Sequence, residues 1–230
     1  MDGRKQSRSP PHVLSARALR SLLAIACVLC VGLPVDALSS AINIAGDAAG
    51  VTPSDFDLRT GKWIVVSDVT AHAGRAIEQS GKQTTEFGFP LAIYQPDSPK
   101  NAEISLRIKA IGGKSDQDGG VALRLKGPGD YYLVELDTMR DTVRLSRVSH
   151  GTADEIISVD ADLSSDNWHT LTVRAVNDKF TVSLDGAWIF TGVDASLPDA
   201  GRIALWTKGD SIVRFADIAV APLPVPSQAD

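Results

Sequence analysis

The stretch from Gly119 to Ser149, GGVALRLKGPGDYYLVELDTMRDTVRLSRVS, constrains the fold most, because apolar and polar side chains alternate through it in three runs joined by two turn signals. Val121, Leu123 and Leu125 alternate with Ala122, Arg124 and Lys126 in the first run. Tyr132, Val134 and Leu136 alternate with Tyr131, Leu133, Glu135 and Asp137 in the second, and Val143 and Leu145 with Thr142, Arg144 and Ser146 in the third. A period of two residues is that of a half-buried strand, so the segment reads as a three-stranded antiparallel meander. Unbroken alternation would set Arg124, Tyr131, Glu135, Asp137 and Arg144 together on the face opposite the core. Two guanidinium groups, two carboxylates and one aromatic ring then make a candidate ligand-binding patch suited to a sugar: charged forks bridge hydroxyls, and Tyr131 offers a flat apolar surface.

The same alternation recurs on both sides. In Asn101 to Ile111, Ala102, Ile104, Leu106, Ile108 and Ala110 oppose Glu103, Ser105, Arg107 and Lys109. Short strands are expected at Trp63–Val66, Arg75–Gln79, Glu155–Val159, Trp168–Val176, Lys179–Leu184, Trp188–Thr191, Arg202–Thr207 and Ser211–Val220. Asp185-Gly186 is a two-residue hairpin signal, and Pro222, Pro224 and Pro226 should stop further pairing. About a dozen strand candidates, with no amphipathic helical stretch of ten residues beyond the first 37, predict an all-β, two-sheet antiparallel sandwich. Phe87, Phe89, Leu91, Ile93 and Tyr94 should anchor the Gly- and Pro-rich segment 80–100 on it. Trp63, Trp188 and Trp206 sit among aliphatic residues and read as core, whereas Trp168 is a second stacking candidate.

Residues 1–37 carry Arg4, Lys5, Arg8, Arg17 and Arg20 ahead of an apolar run, Leu22 to Val35, that ends in Val35-Asp36-Ala37. This is the pattern of a cleaved signal peptide, and the run falls short of the roughly 20 residues of a membrane span. The chain is therefore expected to be exported, periplasmic or secreted, and free of the membrane after cleavage. The expected domains are a signal peptide (1–37), a linker (38–50), a folded domain (51–221) and a Pro-rich tail (222–230). Both cysteines, Cys27 and Cys30, lie in the signal, so disulfides and thiol chemistry are excluded from the mature protein. Cleavage leaves 18 basic and 26 acidic residues, a net charge of −8, with no clustered basic run, which argues against nucleic acid as a partner. His72, His150 and His169 lack metal-ligand spacing, so no catalytic zinc is expected.

Gly119-Gly120-Val121-Ala122-Leu123-Arg124, Asp130-Tyr131-Tyr132-Leu133-Val134, Asn167-Trp168-His169-Thr170-Leu171, Leu184-Asp185-Gly186, Gly201 to Lys208 and Phe215-Ala216-Asp217-Ile218 together resemble the concanavalin A-like lectin/glucanase superfamily. Its laminin-G-like and 3-keto-disaccharide-hydrolase-like bacterial domains are the nearest in pattern, over residues 55–221, with Trp63 and Gln79 at the front. The resemblance implies a concanavalin A-like jelly roll that binds a carbohydrate or glycoconjugate. The superfamily's glucanases carry E-x-D-x-x-E or E-x-D-x-E on one strand. Glu135-Leu136-Asp137 matches the first half, but positions 139 and 140 are Met and Arg, so the expected function is binding without catalysis. A glycoside hydrolase of the 3-keto-disaccharide type and a structural or adhesion domain that contacts another protein are the alternatives. The superfamily often binds a structural calcium, for which Asp55, Asp57 and Asp217, or the Asp116/Asp118 loop, offer oxygens without a ligand spacing.

Export is checked by intact-mass measurement on cell-envelope protein. The expected species begins near Leu38, and one that retains Met1 to Ala37 would contradict the signal.

Overall fold

A computed structural model describes residues 40–83 and 88–224. The expected signal peptide, Phe87 and Pro226 lie outside them. The strands are β1 (Ser40–Ala41), β2 (Phe56–Arg59), β3 (Trp63–Ser67), β4 (Arg75–Gln79), β5 (Leu91–Tyr94), β6 (Ala102–Gly112), β7 (Asp118–Gly127) and β8 (Asp130–Asp137). They continue with β9 (Thr142–Ser149), β10 (Thr152–Asp160), β11 (His169–Val176), β12 (Lys179–Leu184), β13 (Ala187–Val193), β14 (Arg202–Thr207) and β15 (Ile212–Pro222). One sheet runs β13-β12-β11-β6-β15-β4-β3, with β1 also on β15; the other runs β10-β9-β8-β7-β14-β5-β2. All these pairings are antiparallel, so the all-β two-sheet sandwich expected from the sequence is what forms. Among the described residues no helix is long and apolar enough to cross a membrane.

The inward halves of the alternating strands meet as one core. Ile104, Leu106, Leu171, Val173, Val182 and Phe215 from the first sheet face Val121, Leu123, Val134, Leu136, Val143 and Leu205 from the second. Asp185 and Gly186 both take positive φ, 50° and 81°, and close the β12–β13 hairpin as their type predicts. Trp63 and Trp206 are buried as expected. Trp188 is not: it is 66 % exposed, because a bulge at Val182/Ser183 turns it to the outer face of the first sheet.

The expected linker 38–50 is corrected in its described part. Ser40 and Ala41 pair with Val220 and Ala219, Ile42 N–H donates to the Ile218 carbonyl, and Ile42 and Ile44 enter the core. Alternation in Ile42-Asn43-Ile44 is enough to bury two side chains, so order begins before Val51. At the other end β15 extends through Pro222, and Leu223 N–H still bonds to the Asn101 carbonyl.

The main correction is Arg124. The meander pairs as read, with Glu135 opposite Arg144, but the alternation of β7 breaks in its middle. Arg202 and Ala204, two residues apart on β14, face Leu125 and Ala122, three apart on β7. The extra residue is a bulge at Arg124, whose φ is +52°. Arg124 therefore leaves the outer face and is only 2 % exposed, its guanidinium 5.8 Å from the Tyr132 ring and 5.2 Å from the Phe180 ring. It donates to the carbonyls of Lys100 (3.0 Å), Leu197 (3.0 Å) and Asn177, which belong to three separate connections. Gly201 fits against this bulge because a Cβ there would sit 2.4 Å from the Arg124 carbonyl carbon.

Replacing Arg124 by Met keeps the bulk but leaves three carbonyls without a donor, each worth about 1–3 kcal/mol when buried. Urea denaturation should show a loss of about 3 kcal/mol or more with an unchanged m-value, against about 0.5 kcal/mol or less for exposed Arg174→Met. Equal effects would remove Arg124 from its tying role.

Candidate functional site

With Arg124 turned inward, Tyr131, Glu135, Asp137 and Arg144 remain on the outer face of the second sheet, and they do not form an open patch. Tyr131 is fully buried in a second apolar layer with Leu91, Leu133, Val148 and Trp206, under Phe89, whose ring lies 5.1 Å from that of Trp206. Burial raises its hydroxyl pKa above the ordinary tyrosine value, and the ring presents no face to a ligand.

Glu135, Asp118 and Asp137 form a buried carboxylate group, because Asp118 is the cross-strand partner of Asp137, and Gly120, two residues on, is the partner of Glu135. Arg144 Nη1 meets Glu135 Oε1 at 2.6 Å and its Nε lies 3.1 Å from Glu155. Lys208 Nζ bridges Asp116 (3.0 Å) and Asp118 (3.3 Å). Burial, helped by the Asp118 charge and opposed by Arg144, pushes Glu135 up to about 7. Burial and the neighbouring Asp137 push Asp118 up to about 6 against the pull of Lys208. For Asp137 burial is outweighed by Arg140, whose guanidinium sits at 2.6 Å, and by the backbone N–H groups of Arg140 and Met139, so its pKa falls. Two acids whose pKa values are raised thus stand beside one whose pKa is lowered, in a buried layer. Among the described residues no three His, Cys, Asp or Glu side chains are placed to hold a metal ion. Of the carboxylates offered for calcium, Asp57 is taken by Arg59, and Asp217 on the other sheet by Arg107 and His72.

Trp168 packs on the outer face of the first sheet, with Arg107 and Lys109 4.9 and 4.8 Å from its ring and its indole N–H donating to Thr70. Its faces are thus engaged by cations.

The open part of the second sheet's outer face lies at its other end. A cleft of about 470 Å³ is lined by Asp57, Arg59, Ile93, Gln95, Leu125, Lys126, Gly127, Pro128 and Arg202. Its floor is Ile93 and Leu125, both buried, and its rim sets the charged or amide side chains of Asp57, Arg59, Gln95, Lys126 and Arg202 beside Gly127 and Pro128. In β2, Phe56 and Leu58 point inward, which leaves Asp57 and Arg59 on the rim, opposite Ile93 and Leu91. Leu125 reaches this face only because the Arg124 bulge reverses the parity of β7. The sequence reading missed the cleft for that reason, although parity in β2 and the Arg202-Ile203 alternation pointed to two of its walls. Its volume is that of a small-ligand site, and an aliphatic floor below hydrogen-bonding walls can hold a sugar ring by its C–H face and its hydroxyls.

No protein-family model and no curated protein sequence matches this chain. Solved structures do share its fold. The carbohydrate-binding module CBM66 from Bacillus subtilis superposes with a TM-score of 0.61 at 17% identity, over 76% of this chain and 98% of that one. A candidate glycosyl hydrolase of Parabacteroides distasonis gives 0.53 at 12% identity, over 80% and 99%. A Bacillus subtilis protein of unknown function with a galectin-like fold gives 0.53 at 13%, over 75% and 91%. The architecture is therefore a two-sheet antiparallel β-sandwich whose fold is shared by a carbohydrate-binding module and a galectin-like protein.

The raised acids set a pH dependence. An acid with a higher pKa folded than unfolded retains its proton in the native state while the unfolded chain loses it, so its contribution to stability falls as pH rises from about 4.5 to 7. Glu135→Gln removes that contribution. Urea midpoints at pH 5 and pH 8 should shift relative to wild type in favour of the variant at pH 8, by an amount on the order of 1–3 kcal/mol. A difference that does not change with pH would mean that Glu135 is ionised throughout.

Proposed function

We propose that this is an exported carbohydrate- or glycoconjugate-binding domain, non-catalytic, whose ligand occupies the cleft between β2, β5, β7 and β14. The observation that carries the proposal is the pairing of a buried aliphatic floor, Ile93 and Leu125, with the side chains of Asp57, Arg59, Gln95, Lys126 and Arg202 around it. Its fold neighbours, a carbohydrate-binding module and a galectin-like protein among them, support the reading without fixing it, because one sandwich hosts many functions. The second reading, a glycoside hydrolase, is favoured by Glu135, held near 7 beside Asp118 and Asp137, and by the glycosyl-hydrolase neighbour. It requires a substrate to reach carboxylates that are 5 % exposed or less.

One pair of variants separates the two. Gly127 has open space where a Cβ would go and no positive φ, so Gly127→Trp fills the cleft without disturbing the strand. On a glycan array this variant should lose at least tenfold in binding with an unchanged melting temperature, while Glu135→Gln binds as wild type. Full binding by Gly127→Trp, with binding or sugar release lost in Glu135→Gln, would move the site to the carboxylate end.

A further inference from the structure

The cleft is basic in an acidic chain. Against a formal net charge of −5, its walls hold Arg59, Lys126 and Arg202 with Asp57 as the one carboxylate among the described lining residues. Arg59 spends its charge on Asp57 at 2.5 Å. Lys126 bonds to the Ala200 carbonyl and lies 3.9 Å from an exposed Asp199, a screened and weak pairing. Arg202 has no carboxylate within ion-pair distance among the described residues. Its Nη1 donates to Gln95 Oε1 at 2.7 Å, and Gln95 Nε2 in turn donates to the Ile93 carbonyl at 3.0 Å. The second bond fixes the amide so that its oxygen faces the guanidinium. Arg202 is thus a cation held in place by a neutral partner, with its remaining N–H donors uncommitted among the described residues, directly across the ladder from floor residue Leu125. Holding a charge in place beforehand lowers the entropy that its anion must overcome on binding.

We propose that the cleft selects an acidic sugar, whose carboxylate pairs with the Arg202 fork, with Lys126 beside it and the sugar ring over Ile93 and Leu125. The planar guanidinium matches the two oxygens of a carboxylate, a geometry that a lysine cannot reproduce. This rests on the reading of the cleft as the glycan site and adds the ligand's chemical class to it.

The test is titration of the full chain with polygalacturonate, alginate and hyaluronan, with their carboxyl-reduced forms, with heparin, and with neutral cellulose and xylan oligomers. The expected result is binding to at least one uronate polymer that weakens at least tenfold on carboxyl reduction and also with added salt. Arg202→Gln should bind the acidic polymer no better than its reduced form, and Arg202→Lys should recover only part of the difference, both with wild-type melting temperatures. Equal binding of acidic and reduced polymers, preference for sulfated heparin, or an unchanged preference in Arg202→Gln would overturn the inference and leave the cleft as a neutral-glycan or other site. If no glycan binds the wild-type chain, the proposed function falls, and this inference with it.

Discussion

The structure depends on a buried arginine in a left-handed conformation. Arg124 adopts φ +52°, uncommon for a residue with a Cβ, and places a full charge between the sheets. Strain and desolvation together would cost several kcal/mol if nothing offset them. They are offset by three carbonyl acceptors from three connections and by the faces of Tyr132 and Phe180. The desolvation lowers the Arg124 pKa somewhat, yet arginine starts so high that the group stays charged. Tyr132 extends the same assembly, donating its hydroxyl to Asp194 while accepting from Leu197 N–H, and Arg147 holds Asp194 from the other side. One end of the sandwich is closed by a polar network whose members are tied to fixed backbone.

Much of the fold was legible because a period of two is hard to mimic. β8, β9 and β11 alternate without interruption and β6 does so as far as Ala110, and each takes the face its sequence assigns. Three of the misreadings share one physical origin, which is that parity counts residues and a bulge adds one. Arg124 on β7 and Trp188 on β13 both lie at such irregularities, and both point away from the side that counting gives them. Asp217 is a third case, at φ +51° in the break of the β15–β6 register, where its carboxylate meets Arg107 and His72 instead of Asp55 or Asp57. Nothing in the side chains of Arg124 or Asp217 announces a positive φ, since glycine is the usual marker. The linker misreading differs: in a two-residue strand, small residues such as Ser40 and Ala41 carry no periodic signal at all.

The outer face of the second sheet shows why a patch of charges in sequence need not be a surface patch. Tyr131, Trp206 and Phe89 build a second apolar layer there, so groups on the same strands are covered too. Glu135 and Asp118 respond as buried carboxylates do, by holding protons toward neutral pH, and Arg144, Arg140 and Lys208 limit the cost. An exposed network on this face would have shown ordinary carboxylate behaviour.

The bulge that misleads the counting also makes the cleft. Were β7 regular, Leu125 would follow Val121 and Leu123 into the core, and the outer face beside Arg202 would present the next side chain instead. The inserted residue sends Leu125 outward, where with Ile93 it forms an aliphatic floor, and it is held there by the contacts of Arg124 on the opposite side. Gly201 lets β14 close against the bulge, and the next residue on that strand is Arg202. The strain at one position is thus coupled to the geometry of the wall on β14 and β5, strands remote from it in sequence. A substitution that relaxed the bulge would change which side chains line the cleft and at the same time remove the contacts that hold this end of the sandwich. Binding and stability should therefore separate cleanly for changes on the rim, such as at Arg59 or Arg202, and fail together for changes at Arg124 or Gly201.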